Sequence, residues 1–362
     1  MMGEARGSWL GCVVLQLAVA GCAGTSEPPG GASEDSAAST SAALVTIENG
    51  STPTSIAANS QYVFWTTIAN VNNDPIVLKM PLGGGAPSVV ASGGLFDGAD
   101  SLVLDNSNVY WVLDKSMGGS QRWVYSAPLA GGAPFIVFKN TQQGAKQGAS
   151  LAVPFTGQRV VQTSDLYFAA PGNEAIYDLH LSSGLFSHWT AVQLPQLHPP
   201  NSNLLFNYYA TSIVASNGTI YFVDDQKGVY EMPVSGGTTT PLPTPPPTQI
   251  PSGVSITAAV GSPIDTDGVN LYYTSASGTS ILQSSVSGTA AVVFANEPAS
   301  SLLLSAGYLY WTNSVAGTVK KRALNGSPAI TIASGQNSPM HIAVNADQVF
   351  WGVKSGLLSA PR

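Results

Sequence analysis

The chain has 362 residues, of which only 9% are charged, whereas 38 are glycine and 25 are proline. Its formal net charge of −7 opposes binding to nucleic acids and anionic membrane surfaces, which attract basic proteins, so we expect no nucleic-acid partner. Abundant glycine, proline, β-branched and aromatic residues favour many short strands joined by tight turns, and they exclude an architecture of long helices.

The N-terminus, residues 1–21, is predicted to be a signal peptide. Its apolar run, 9–20, is too short to span a bilayer but suits the core of such a peptide. The run ends in Leu-Ala-Val-Ala-Gly-Cys at 17–22, which resembles the lipobox of bacterial lipoproteins. The resemblance implies that Cys22 carries the lipid, and that the protein lies in the bacterial cell envelope, anchored at the outer membrane or the cell surface. An ordinary signal peptide cut near Ala23 is the alternative.

Residues 22–42 are predicted to be a flexible tether, because they are rich in Ser, Gly, Pro and Ala and show no apolar periodicity. About 20 such residues reach roughly 25 Å, which holds a folded body clear of the membrane. The membrane is then contacted only through the N-terminal lipid. The other cysteine, Cys12, lies in the signal peptide, so the mature chain is expected to lack a disulfide.

The remainder, 43–362, contains a repeated phrase: a short apolar strand, a polar turn, and a second strand closing on an aromatic pair. The pairs are Phe64-Trp65, Tyr110-Trp111, Tyr167-Phe168, Tyr221-Phe222, Tyr272-Tyr273, Tyr310-Trp311 and Phe350-Trp351. Several copies continue into a third strand, a Gly-Gly or Asn-Gly turn and a fourth strand. Residues 43–362, divided among seven copies, give about 46 residues each, close to the ~40–50 residues of a four-stranded propeller blade.

These repeats predict an all-β fold, a seven-bladed β-propeller of four-stranded blades. The last copy stops in its third strand, and its missing fourth strand matches 44–47. The N-terminal strand is therefore expected to complete the C-terminal blade and close the ring. The third copy is the weakest, with its first strand assigned to 160–162, so a six-bladed propeller is the alternative.

The sequence Tyr310-Trp311-Thr312, and less closely Phe64-Trp65-Thr66, resembles the repeat of YWTD-type (LDL-receptor-like) propellers. The resemblance extends over most of 43–362 as a pattern and implies a six- or seven-bladed propeller of the kind found in secreted proteins. It departs from the family where the motif's final aspartate is replaced, by Asn313 in one copy and Thr67 in the other.

Three insertions are predicted to join the fourth strand of one blade to the first strand of the next: 139–158, 194–211 and 241–262. They should crowd one sector of one face, where binding residues concentrate. The second insertion carries His198, Tyr208 and Tyr209, whose rings suit stacking on a sugar or a peptide. Packing of these tyrosines within the loop is the alternative. The proline-rich third insertion is more consistent with a tolerated loop.

His341 and Arg159 are predicted at the start of the innermost strands of the seventh and third blades, at the mouth of the central channel. With Asp224 they are weak candidates for catalysis of a lyase or lactonase kind, which needs such groups brought together. A solvated histidine is the alternative for His341. His180 and His188 are predicted to be sheet residues of a third and a fourth strand.

Asp114, Asp224 and Asp225 are predicted in second-to-third-strand loops and are candidates for ligand binding. Asp265 and Asp267 are interpreted as turn residues on the opposite face. No sequence run supplies the six to eight oxygens of a calcium site, and the histidine spacings fit no zinc signature. We therefore expect neither a metal nor a cofactor.

The resulting hypothesis is a monomeric binding or scaffolding module for a protein or polysaccharide of the envelope. A propeller enzyme with its site at the channel mouth is the alternative, and a passive structural protein is the third possibility.

Overall fold

A computed structural model describes residues 44–49, 52–68, 75–92, 98–115, 121–139, 150–152, 160–161, 165–170, 175–180, 188–193, 210–224, 229–233, 248–249, 263–275, 277–286 and 291–362. The chain divides into two compact units, Met1–Thr40 and Ser41–Arg362, and every described residue belongs to the second. Within these ranges no helix has the length and apolar character needed to cross a membrane.

The described residues form short strands throughout. In chain order they are β1 (Val45–Asn49), β2 (Ser55–Ala58), β3 (Tyr62–Ile68), β4 (Pro75–Pro81), β5 (Ser88–Ser92), β6 (Gly98–Asp105), β7 (Asn108–Lys115), β8 (Gln121–Pro128), β9 (Phe135–Lys139), β10 (Ser150–Ala152), β11 (Val160–Val161), β12 (Asp165–Ala170), β13 (Ala175–His180), β14 (His188–Gln193), β15 (Ala210–Ser216), β16 (Thr219–Asp224), β17 (Val229–Pro233), β18 (Thr248–Gln249), β19 (Ile264–Thr266), β20 (Asn270–Thr274), β21 (Ile281–Ser285), β22 (Val292–Ala295), β23 (Ser301–Ser305), β24 (Tyr308–Asn313), β25 (Thr318–Ala323), β26 (Ile330–Ala333), β27 (Met340–Val344), β28 (Gln348–Val353) and β29 (Gly356–Pro361).

The strands build a β-propeller of four-stranded antiparallel sheets. We number the sheets by their first strands: β2-β3-β4-β5, β6-β7-β8-β9, β10-β12-β13-β14, β15-β16-β17-β18, β19-β20-β21-β22, β23-β24-β25-β26 and β27-β28-β29-β1. In the second sheet, β11 adds a fifth strand beside β6. The predicted all-β fold of four-stranded antiparallel sheets is confirmed.

The first strands of the sheets contact one another in succession. The contacting pairs are β2 with β6, β6 with β10, β10 with β15, β15 with β19, β19 with β23, β23 with β27, and β27 with β2. Each first strand is therefore flanked by the first strands of two other sheets.

The N-terminal strand belongs to the seventh sheet. β1 pairs antiparallel with β29, so that Val45 lies opposite Ser359 and Asn49 lies opposite Gly356. The predicted pairing between the N-terminal strand and the last strand of the chain is confirmed.

Side chains of successive strand residues point to opposite faces, and in this fold both faces are covered. In the sixth sheet Leu303 and Tyr310 join one hydrophobic cluster with residues of the seventh sheet. The alternate residues Leu302 and Trp311 join another cluster with residues of the fifth sheet. Because sheets stack on both sides, the strands are continuous apolar runs. Burial of each large side chain contributes about 2–3 kcal/mol.

The prediction for the first strand of the third repeat is wrong. β10, not β11, pairs with β12, whereas β11 runs parallel to β6 with Val160 opposite Leu104. The Val-Val pair of β11 is too short to specify its own partner, and the free edge of the long strand β6 accepts it. The first strand of the third sheet lies earlier in the chain than the repeat pattern indicated.

Two of the three predicted insertions are not continuous connections. The first, 139–158, contains β10, and the third, 241–262, contains β18, the fourth strand of its own sheet. The second, 194–211, lies between β14 and β15 and overlaps only the beginning of β15. His180 and His188 lie in β13 and β14 and face each other across the pair, so their assignment to a third and a fourth strand is confirmed.

Candidate functional site

His341 stands on a β-bulge at the start of β27. The register of β27 against β28 shifts between Met340 and Ile342, and His341 adopts a left-handed backbone with φ of 47°. A bulge turns the following amide out of the ladder of its own sheet. Here the Ile342 N–H donates to the Ser301 hydroxyl of the sixth sheet at 3.2 Å.

The second sheet repeats this arrangement. Ser101 has φ of 52° in β6, and the next amide, Leu102 N–H, donates to the Ser55 hydroxyl of the first sheet at 2.9 Å. Two of the serines that recur at the start of the first strands, Ser55 and Ser301, thus accept a hydrogen bond from the neighbouring sheet. His341 occupies the equivalent position in the seventh sheet.

The environment of the His341 ring does not suit a catalytic base. The side chain is half-buried, and desolvation lowers its pKa to about 4. The side chain keeps partial contact with solvent, so the alternative of a solvated histidine stays a prediction. Among the residues that the structure describes, none hydrogen-bonds to the imidazole. A neutral, unoriented imidazole with so low a pKa is a weak base at neutral pH.

The other catalytic candidates do not join His341. Asp224 ends β16 in the fourth sheet, whose first strand contacts the third and fifth sheets, whereas the first strand of the seventh sheet contacts the first and sixth. Arg159 lies outside the described residues, and β11, which follows it, belongs to the second sheet instead of leading the third. The two residues lie in sheets whose first strands do not contact each other, and their convergence at the channel mouth stays a prediction.

The structure describes only some of the predicted binding residues. Asp114 was expected in a loop, but it lies within β7, opposite Gly98 on one side and Arg122 on the other. The antiparallel ladder extends further than the repeat pattern indicated, so Asp114 is a strand residue. The lipidation candidate and the remaining binding candidates lie outside the described residues and stay predictions: Cys22, Asp225, His198, Tyr208 and Tyr209.

Two aspartates build matching turns between the first and second strands. Asp267 accepts from the amides of Val269 and Asn270 at 2.9 and 2.6 Å, and it accepts from the Tyr272 hydroxyl at 3.2 Å. Asp267 is therefore a turn residue, as expected.

Asp105 repeats this turn in the second sheet. It accepts from the amides of Ser107 and Asn108 at 2.6 and 2.5 Å, and from the Tyr110 hydroxyl at 2.6 Å. Burial, reinforced by the nearby aspartate, raises the pKa of Tyr110 and of Tyr272.

Asp265 has a different role from the one the sequence indicated. It is buried in β19, and its carboxylate accepts from the Thr266 amide at 2.9 Å and from the Leu304 amide at 2.8 Å. The second bond reaches the sixth sheet, so Asp265 links two sheets and does not form the turn.

On the side of the first-to-second-strand turns, a pocket of about 470 Å³ lies between the sixth and seventh sheets. Its lining consists of two tyrosines, two cations and a turn: Tyr308, Tyr310, Lys321, Ala346, Asp347 and Arg362. The sequence analysis did not identify this site.

Arg362 is fixed in the pocket by three hydrogen bonds. Its Nε donates to the Tyr310 hydroxyl at 2.7 Å, and its terminal nitrogens donate to the carbonyl oxygens of Ser305 and Asn345 at 3.1 and 3.2 Å. The guanidinium carbon lies 5.6 Å from the centre of the Tyr310 ring. The cation is therefore held rigidly between the two sheets.

Lys321 is the second cation of the pocket. Its ammonium lies 5.4 Å from the centre of the Tyr308 ring. Burial, together with the positive charge of Arg362, lowers the pKa of Lys321. The only carboxylate side chain in the lining is Asp347, which is exposed, and within the described part of the chain no ion pair joins it to either cation.

The adjacent cations of β25 have partners. Lys320 forms an ion pair with Glu297 at 2.8 Å. Arg322 donates to the carbonyl oxygens of Phe294, Gly326 and Ser327, with its guanidinium carbon 4.7 Å from the Phe294 ring centre. Both line a separate pocket of about 500 Å³ between the fifth and sixth sheets. Their charges are engaged within the protein, so this second pocket offers less to a charged ligand.

Metal binding finds no support in this part of the protein. Across the described ranges, no three His, Cys, Asp or Glu side chains gather closely enough to hold an ion.

The sequence matches no protein-family model, and no curated protein matches it. The fold is similar to that of BamB from Moraxella catarrhalis, with a TM-score of 0.52 and 10% identity over 89% of this chain and 99% of that one. A second similar structure comes from a nidogen/laminin complex, with a TM-score of 0.43 and 12% identity over 83% of this chain and 97% of that one. At such identities the likeness to BamB concerns the β-propeller fold alone.

Proposed function

We propose that the protein is a lipid-anchored module of the bacterial cell envelope whose propeller binds a protein or glycan partner. One observation carries the binding role: a described pocket places Lys321, which has no carboxylate partner among the described residues, beside Arg362 and two tyrosines. A rigid pocket with unsatisfied charge is suited to recognition, because its donors are already in place before the ligand arrives.

Catalysis at the channel mouth is less consistent with the geometry. His341 has a lowered pKa and no described group to orient it, and Asp224 lies in a sheet that does not adjoin the seventh. General acid–base chemistry requires such groups within hydrogen-bond reach of each other or of the substrate. We therefore favour binding over lyase or lactonase chemistry.

The proposed location rests on the sequence. Residues 1–21 act as the signal peptide, Cys22 carries the lipid, and 22–42 form the tether to a propeller of residues 43–362. β1, the first strand after the proposed tether in the chain, is an edge strand of its sheet. The folded body acts as a monomer, and it contacts the membrane only through the lipid.

We also infer that the seven sheets are the blades of one closed ring. Two observations support this inference: the unbroken succession of contacts between first strands, which returns from β27 to β2, and the pairing of β1 with β29. Closure leaves no sheet face of the stack without a neighbour.

The test uses the full-length protein expressed in a bacterial host. We expect the wild type to incorporate labelled palmitate and to sediment with membranes, and we expect Cys22→Ala to do neither. In-cell cross-linking of the wild type should then yield one discrete adduct with a protein or a glycan. Membrane sedimentation of Cys22→Ala would contradict the anchor, and the absence of any adduct would contradict the binding role.

A further inference from the structure

We propose that the pocket between the sixth and seventh sheets binds a carboxylate side chain from an acidic segment of a protein partner. This inference rests on the proposed binding function and names the chemistry of its site. The pocket is the one defined above, with Tyr310, Lys321 and Arg362 as its polar groups.

Equivalent tyrosines of three sheets differ in the partner of their hydroxyl group. Tyr110 and Tyr272 each donate a hydroxyl proton to an aspartate five residues earlier, Asp105 and Asp267. In the sixth sheet the equivalent tyrosine is Tyr310, and the position five residues earlier is a serine, Ser305. The tyrosine is retained in the sixth sheet, but a serine replaces the aspartate that accepts the tyrosine hydroxyl in the other two sheets.

The hydroxyl of Tyr310 accepts a hydrogen bond from Arg362 Nε at 2.7 Å. Because Tyr310 is 0% exposed, its hydroxyl serves the pocket by holding the Arg362 guanidinium in position and does not contact the ligand itself.

The two cations of the pocket keep hydrogen-bond donors and charge that the protein does not use. Arg362 uses three of its N–H groups within the protein and retains others, since a guanidinium carries five. Lys321 has an ammonium over the Tyr308 ring and no described carboxylate partner. Burial first, and the nearby charge of Arg362 second, lower the pKa of Lys321, and an anion beside both cations would offset these effects.

The lining has two positive side chains and one negative side chain, Asp347. A single carboxylate balances this excess of one positive side chain, whereas a phosphate dianion exceeds it. The several charges of an acidic polysaccharide would meet more repulsion from the exposed Asp347 than one carboxylate does. An isolated aspartate or glutamate side chain of a protein therefore suits the pocket.

The experiment titrates the lipidated full-length protein, solubilised in detergent, with short peptides by calorimetry. The probe is acetyl-Gly-Asp-Gly-amide, its matched control is acetyl-Gly-Asn-Gly-amide, and trigalacturonate represents a glycan source of carboxylate. We expect the Asp peptide to bind and the Asn peptide to bind at least about tenfold more weakly, since charge-assisted hydrogen bonds are the stronger class. Trigalacturonate should bind no better than the Asp peptide.

The variants Lys321→Met and Tyr310→Phe should each weaken binding of the Asp peptide by about tenfold. Lys354→Met removes the same charge from an exposed site outside the pocket, so its affinity should match the wild type. The side chain of Lys321 makes no described hydrogen bond, so its variant is expected to fold, and an unchanged melting temperature verifies this.

Equal binding of the Asp and Asn peptides, or an unchanged affinity in Lys321→Met, would overturn the proposal. Clear preference for trigalacturonate would overturn the assignment to a protein partner. These failures are distinct from failure of the proposed function. If Lys321→Met retains the in-cell adduct while the peptide does not bind, the protein binds its partner elsewhere; if the wild type forms no adduct, the binding function itself fails.

Discussion

The carboxylate of Asp265, in the fifth sheet, accepts a hydrogen bond of 2.8 Å from the backbone amide of Leu304, in the sixth. Its other oxygen accepts from the amide of Thr266 at 2.9 Å. The residue is only 4% exposed, so water cannot substitute for either bond. One side chain thus satisfies two buried donors that belong to different sheets.

We expect Asp265→Ala to lower the free energy of unfolding by about 2–4 kcal/mol, because two buried amides lose their acceptor. Asp265→Asn should lose less, since an amide oxygen still accepts one of the bonds. Urea denaturation measures both. The control is Asp347→Ala, an exposed aspartate whose loss should change stability by no more than about 0.5 kcal/mol. Equal stability of Asp265→Ala and the control would contradict this role.

Loss of the hydrogen bond between the Ser301 hydroxyl of the sixth sheet and the Ile342 amide of the seventh should lower the free energy of unfolding by less than the loss of Asp265 does. Ser301→Ala removes the acceptor of the Ile342 amide and should cost about 1 kcal/mol. Ser334→Ala provides the control, since Ser334 is exposed and its hydroxyl makes no described bond. Chemical denaturation should separate the two variants. If Ser301→Ala is as stable as Ser334→Ala, the inter-sheet bond contributes nothing measurable.

His341 should make the protein sensitive to acid. Its pKa is about 4 in the folded state, against 6.5 for a histidine in an unstructured peptide, so the unfolded chain takes up the proton first as pH falls. Stability is then lost between pH 6.5 and 4, by about 1–3 kcal/mol, and this loss is complete below pH 4. His341→Gln should remove it. The measurement is the difference between wild-type and variant unfolding free energies across this range, and a flat difference would refute the assignment.

Lys321 should destabilise the unliganded protein slightly. Burial and Arg362 lower its pKa, so the folded state disfavours its charged form, and stability should rise as pH increases through the folded pKa toward 10.5. Because the residue is half-exposed, Lys321→Met should gain no more than about 0.5 kcal/mol at neutral pH. Thermal unfolding without ligand, with Lys354→Met as the control, tests this. A clear loss of stability in Lys321→Met alone would show that its stem packs as part of the core.

Much of the fold follows from the sequence because the repeat encodes it. The buried pairs that end on Trp65, Trp311 and Trp351 each mark a second strand, and the strand before each turn can be assigned from them. The same reasoning failed at Val160–Val161, where two residues carry no register information. The repeat pattern therefore predicts long strands well and short strands poorly.

The pocket was less accessible to sequence reasoning. Its cations are distant in the chain: Lys321 lies in β25, whereas Arg362 follows β29. They meet because the sixth and seventh sheets pack face to face, which a motif search does not register. One local signal was available, the serine at position 305 where two other repeats have aspartate before their tyrosine. Its meaning depends on knowing that those aspartates bind the tyrosine hydroxyl.

The pairing of β1 with β29 sets the order in which the protein can be completed. As the chain is made or exported, β1 emerges first, and its hydrogen-bonding partner emerges only at the far end of the propeller. Until then, the amides and carbonyls of β1 have no partner strand, and the seventh sheet cannot finish assembling. Formation of this sheet is a contact of very long sequence separation, so it should be a slow, late event in folding. Before the seventh sheet forms, β1 is exposed to mispairing with strands of other chains.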